Sequence, residues 1–185
     1  MSTAQAIQSC NDFVIKFANV NGSGSASAND LFARAIIRMG IPVAPRNIFP
    51  SNIQGMPTWY EMRVSADNWL GRRGGCDLMV AMNPQTWDRD VAEIDPGGYL
   101  IYDSTKDLPR SKFRDDLTVI GIPLTQLCNA EYSDARQRQL FKNIMYVGAL
   151  AALIDMDFAE TEKLVAEQYR GKEKLIGANV NALKI

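Results

Sequence analysis

The chain has 185 residues, 46% of them hydrophobic and 22% charged, and 20 basic side chains stand against 21 acidic ones for a formal net charge of -1. That is enough chain for one soluble domain with a real core, and it lacks the basic excess that a nucleic-acid surface or a polybasic membrane surface requires. The complete absence of histidine excludes Ser-His-Asp triads, Cys-His pairs and His-ligated metals within this chain.

Residues 1–10 are polar and read as a flexible N-terminus, leaving residues 11–185 as a single domain. Residues 12–18 read as a buried strand. Next comes Asn19-Val-Asn-Gly-Ser-Gly-Ser-Ala-Ser-Ala28, a glycine–serine loop, and then a helix over residues 27–39 with Leu31, Ala35, Ile36 and Met39 on one face. Gly40 stands just past its last turn. A short strand is expected at 41–44 and a long loop at 45–57, of a length that in compact domains usually serves function. Residues 59–65 alternate: Trp59, Glu61, Arg63 and Ser65 share one face, Tyr60, Met62 and Val64 the other.

Residues 70–75 read as a turn, and the continuous apolar run at 78–82 as a strand buried on both faces. A helix from Pro84 to about Ala92 follows, then a turn at 95–98 and strands at 99–102 and 117–122. Helices at 135–153, 158–169 and 174–183 complete the chain. Strands alternating with helices predict an α/β, Rossmann-like domain whose mostly parallel sheet is flanked by helices. The ligand crevice of such a sheet lies at the carboxyl ends of its strands, where the glycine loop falls.

Cys10, Cys76 and Cys128 are far apart, odd in number and form no C-x-x-C, which speaks against a disulfide framework, a zinc site or a four-cysteine cluster and for free thiols in a reducing cytoplasm. No apolar run is long enough to span a bilayer, and the N-terminus shows no basic region followed by an apolar core.

Strand, glycine loop and helix is the arrangement that holds a phosphate: glycines admit the ligand to the backbone, and the first free N–H groups of the helix point at it. Gly22-x-Gly24 lacks the third glycine of a dinucleotide fingerprint, Ser27 standing in its place, and Pro45-Arg46-Asn47 occupies the position of the ribose-binding acid. Arg46 leaves NADP open. Serine hydroxyls among the glycines favour an anion over a bare turn. Arg72 and Arg73 fit either a phosphate contact or a solvated turn. Phe49, Trp59 and Tyr60 fit either base stacking or packing, and Asp103-Ser104-Thr105 either a ligand contact or a helix cap.

Five segments are similar, in order, to one family: residues 21–29, 49–65, 77–83, 96–104 and 143–150. Together they resemble the gamma domain of the 2-oxoacid:ferredoxin oxidoreductases, from about Val14 to Leu183. The 49–65 segment is the most specific. It is similar to the form fused ahead of the alpha domain and often assigned to 2-oxoglutarate. Around Gln54-Gly55-Met56 the chain lacks the Arg-Gly-Gly common in stand-alone gamma subunits.

The resemblance implies an enzyme complex that converts a 2-oxoacid and coenzyme A to acyl-CoA, CO2 and reduced ferredoxin. Thiamine diphosphate, Mg and an iron–sulfur cluster would sit on the alpha and beta parts, not on this chain. It further implies a gamma domain that faces coenzyme A and completes the assembly, with no catalytic residue and no metal ligand of its own, and a chain that stops about where a fused alpha half would begin. Coenzyme A would be held by Asn21, Gly22, Ser23, Gly24, Ser25 and Asn29 on one side and by Ser51, Asn52, Gln54 and Gly55 on the other. Alternatives are a purely structural subunit of that complex and an NADP-binding reductase domain. The expected partners are the alpha and beta parts and ferredoxin, with no nucleic acid and no membrane.

Overall fold

A computed structural model describes residues 11–50 and 53–185. The first strand, β1 (Asp12–Val20), puts Phe13, Ile15 and Phe17 on one face of the sheet and Val14, Lys16 and Ala18 on the other. It leads through the glycine loop into α1 (Ser25–Arg38), which starts two residues before the expected helix. There follow β2 (Val43–Ile48), β3 (Pro57–Ser65), β4 (Cys76–Ala81), α2 (Trp87–Ala92), β5 (Ile94–Asp103) and β6 (Thr118–Ile122). Helices α3 (Leu124–Glu131), α4 (Ala135–Leu153), α5 (Phe158–Gln168) and α6 (Glu173–Lys184) complete the order.

The sheet runs β2-β3-β1-β4-β5-β6. Pairings β1–β4, β4–β5 and β5–β6 are parallel, and β3 runs antiparallel between β2 and β1. Five strands therefore point one way and β3 alone opposes them. The expected single α/β domain with a mostly parallel sheet is the observed one. β1 lies where the chain order reverses, which is the position from which such sheets open a crevice.

Two apolar layers hold the sheet. On one face Phe17, Met62, Leu78 and Ile101 pack beneath Leu31, Phe32 and Ile36 of α1 and Tyr146, Val147 and Leu150 of α4. On the other, Val14, Met79 and Leu100 meet Trp87 and Val91 of α2. The alternation expected along 59–65 is present: Trp59 belongs to the second layer, Tyr60, Met62 and Val64 to the first.

Three expectations need correction. Residues 45–48 are not loop but the second half of β2, paired with Trp59 to Met62 of β3. Pro45 is tolerated because β2 is the sheet's edge. The expected turn at 95–98 is an irregularity inside β5, where the register with β4 shifts between Cys76 and Leu78. Gly97, at φ 82°, takes the left-handed conformation that this shift needs. Helix α3 was not expected; it follows Pro123, and eight residues with only Leu124 and Cys128 buried leave little periodic signal. The flexible N-terminus assigned to residues 1–10, and Cys10 with it, lie outside the described residues. Among those residues, no helix is long and apolar enough to cross a membrane.

Candidate functional site

The end of β1, the glycine loop and the start of α1 form one wall of a cleft of about 260 Å3. Gly22 and Gly24 sit at φ 84° and 81°, the left-handed region that lets the chain reverse from strand to helix within a few residues. Gly24 is the N-cap of α1, and no side chain caps it. The first N–H groups of the helix are thus left for a ligand or solvent, together with the positive end of a 14-residue helix dipole.

The loop is braced from two sides. Segment 53–56 zips onto it: the Asn21 N–H donates to the Met56 carbonyl at 2.8 Å, and the Gly55 N–H to the Asn21 carbonyl at 3.0 Å. The Asn21 amide donates to the Ile53 carbonyl at 3.2 Å. A Cβ on Gly22 would lie 2.7 Å from Gln54 Cγ, so the glycine is needed for this close approach. From the helical layer, Asn143 of α4 donates Nδ2–H to the Ser23 carbonyl at 2.9 Å, and Tyr146 donates its hydroxyl to Asn29 Oδ1 at 2.8 Å. Burial pushes the Tyr146 hydroxyl well above the usual phenol range, so it stays a neutral donor.

The facing wall comes from the β2–β3 hairpin: Asn47, Phe49, Thr58 and Tyr60. Asn19 sits between the walls at 4% exposure, with its side-chain amide buried against the Tyr146 hydroxyl. No described residue lining the cleft carries a charge.

Of the residues singled out in the sequence, Asn21, Gly22, Gly24, Ser25 and Asn29 come together along this cleft. Ser23 is half-buried and outside the lining, and donates its hydroxyl to Ser25 Oγ at 3.1 Å. Gln54 and Gly55 brace the loop, and Ser51 and Asn52 lie outside the described residues. Asn19 and Asn47, read as loop residues, and Thr58 were not picked out as binding residues; they are strand positions that the register of β3 sets beside the loop.

The open alternatives divide. Trp59 and Tyr60 are core residues pointing to opposite faces, and Trp59 donates Nε1–H to Asp90 at 2.8 Å. Only Phe49, half exposed, is free to stack. Arg72 and Arg73 lie at the amino edge of the sheet, away from the cleft, against Glu61, Asp77 and Asp95. Asp103 is a cap, accepting hydrogen bonds from Thr105 and from Thr125 in the first turn of α3. Burial raises its carboxyl, but those bonds outweigh it and hold the group below the usual carboxylate range.

A family model described as pyruvate ferredoxin/flavodoxin oxidoreductase matches residues 14–185, glycine loop included. The chain belongs to this family. It is 23% identical over 205 residues to the 2-oxoglutarate oxidoreductase subunit KorA of Mycobacterium tuberculosis, covering 96% of this chain and 31% of that protein. Solved structures share its fold. The 2-oxoglutarate:ferredoxin oxidoreductase of Magnetococcus marinus, solved with 2-oxoglutarate, coenzyme A and succinyl-CoA bound, superposes with a TM-score of 0.83 at 24% identity, over 95% of this chain and 30% of that one. The pyruvate oxidoreductase subunit PORC of Thermotoga maritima gives 0.77 at 20% identity, over 95% of this chain and 94% of that subunit. This fold therefore occurs both as nearly a whole subunit and as about a third of a longer chain, and the chain spans about a third of the length of the curated relatives it matches.

Proposed function

We infer that this chain is the gamma-type domain of a thiamine-diphosphate-dependent 2-oxoacid:ferredoxin oxidoreductase of the 2-oxoglutarate type, and that its cleft holds coenzyme A. The observation that carries the reading is the uncapped start of α1 opening into a cleft at the carboxyl end of β1. The coenzyme A in the Magnetococcus marinus relative supports it. Asn21, Gly22, Ser23, Gly24, Ser25 and Asn29 would hold the carrier from the helix side, and Ser51, Asn52, Gln54 and Gly55 from the neighbouring segment. Thiamine diphosphate, Mg and an iron–sulfur cluster on the alpha and beta parts supply decarboxylation and electron transfer to ferredoxin. No side chain of this domain needs to move a proton. Its task is to position the thiol toward the partner, which converts a bimolecular acyl transfer into a nearly unimolecular one. The setting for such a complex is the cytoplasm.

An assembly role is the second reading. It is favoured by Ile53, Met56 and Leu140, large apolar side chains 66%, 43% and 43% exposed around the glycine loop.

Kinetics of the assembled enzyme separate the two. Asn47 is exposed at the cleft, so Asn47→Ala leaves the fold intact. The coenzyme A reading predicts an apparent KM for coenzyme A raised ~5- to 10-fold, the worth of one neutral hydrogen bond, with CoA-independent decarboxylation unchanged. An unchanged KM, or decarboxylation and KM failing together, favours the assembly role.

A further inference from the structure

The peptide between Ser23 and Gly24 is held from behind. Asn143 of α4, 4% exposed, donates Nδ2–H to the Ser23 carbonyl at 2.9 Å. The same nitrogen donates to the Gln139 carbonyl one turn earlier, at 3.3 Å, so the amide keeps its nitrogen and not its oxygen toward the loop. No α4 residue lines the cleft. The Ser23 carbonyl is therefore drawn to the side of the loop that faces the helical layer.

Across a planar trans peptide the N–H points opposite to the carbonyl, and the described residues hold no cis bond. The Gly24 N–H is thus turned away from α4. On the α4 side Gly24 meets only apolar matter: a Cβ there would lie 2.5 Å from Leu140 Cδ2. On its other side Gly24 lines the cleft. Its φ of 81° belongs to this orientation, since turning the peptide over would return Gly24 to the negative φ open to every residue. A left-handed glycine and a buried donor 120 residues away therefore fix the same peptide. The donor is not there for the helix: asparagine is a poor helix former, and a buried amide costs stability unless it is bonded.

We propose that Asn143 is a positioning residue of the coenzyme A site, setting the Ser23–Gly24 peptide so that the loop offers the cleft an N–H and not a carbonyl. The proposal rests on the coenzyme A reading and deepens it. Coenzyme A carries acceptor oxygens on its phosphates and on the amides of its arm. An N–H at Gly24 joins those of the first turn of α1 in meeting them. A carbonyl in its place would set one acceptor against another. Asn143 touches no ligand and acts only through Gly24.

Kinetics of the assembled enzyme test this. Asn143→Leu removes the donor and keeps the bulk; it is expected to raise the apparent KM for coenzyme A ~5- to 10-fold, with kcat and CoA-independent decarboxylation unchanged. Asn143→Asp should raise KM further, because a carboxylate repels the Ser23 carbonyl and accepts the Gly24 N–H of the overturned peptide. Leu150, two turns further along α4, is fully buried. Leu150→Val loosens the same helix and should change KM by less than about twofold. Should Asn143→Leu fail to fold, Asn143→Asp and residue-level amide exchange of the parent still decide: the Gly24 amide is expected to slow when coenzyme A binds. KM unmoved in both Asn143 variants while Asn47→Ala raises it overturns the proposal and leaves the coenzyme A reading standing. So does a KM raised equally by Leu150→Val, or a Gly24 amide left unprotected while residues 25–28 are slowed. KM unmoved by Asn47→Ala and by both Asn143 variants overturns both.

Discussion

At the scale of single residues, the buried charges are structural. Lys16, on the α2 face of β1, is 8% exposed and bonds Glu93 at 2.5 Å, with Glu61 at 3.6 Å. Removing the ammonium leaves two carboxylates in a poorly solvated site, and such losses typically cost ~3–5 kcal/mol. Arg72 still faces Glu61 and Arg89 still faces Glu93, so Lys16→Ala should cost about 3 kcal/mol in urea unfolding, at the low end of that range. A loss under ~1 kcal/mol would mean that the cluster behaves as a surface network.

Asp103 makes a pH prediction. Its folded carboxyl titrates below the ordinary value of ~4, held there by Thr105 and Thr125 against the cost of burial. The unfolded chain therefore binds its proton first as pH falls. The stability from this cap is complete above the ordinary carboxylate range and is lost as pH drops through the depressed folded pKa. Urea midpoints measured from neutral to strongly acid pH should fall less steeply in Asp103→Asn than in the parent. Parallel profiles would show that the cap contributes no linkage.

At the scale of elements, the helical layer that braces the glycine loop depends on one close approach. A Cβ on Gly148 of α4 would lie 2.1 Å from the carbonyl oxygen of Leu183 in α6, a backbone atom that cannot step aside. Gly148→Ala should separate α4 from α6 at a cost of about 2–3 kcal/mol, in the upper part of the range for overpacking. Because α4 also carries Asn143 and Tyr146 to the loop, amide exchange in residues 22–25 should rise in the same variant. A stable variant with unaltered exchange would uncouple the two.

The elements also show how far the sequence was legible. β1 and α4 were readable from their long apolar runs, and the glycine loop from its glycine–serine composition. β2 was half missed because Pro45 and Asn47 look like loop, and only pairing with β3 makes them strand. The loop residues of the site were legible from glycine and serine chemistry. Asn19, Asn47 and Thr58 were not, since only the pairing of β3 with β1 and β2 sets them beside the loop. Asn143 and Tyr146, 120 and 117 residues from their partners, act only through tertiary packing.

At the scale of the whole molecule, the two faces of the sheet are unequally clad. Five helices cover one face, and α2 with a short 3-10 turn at Arg110–Lys112 covers part of the other. The cleft opens at the carboxyl edge with exposed Phe49 in its lining, and exposed Ile53 and Met56 lie on the segment bonded to Asn21.

The central claim is that coenzyme A meets the backbone where β1 gives way to α1. Residue-level hydrogen–deuterium exchange of the chain, with and without saturating coenzyme A, tests it most directly. The account predicts slowed exchange at the amides of residues 22–28, with weaker protection at 47–49 and none at Arg72 and Arg73. Tight binding that leaves residues 22–28 unprotected, or protection centred at the amino edge of the sheet, would contradict it.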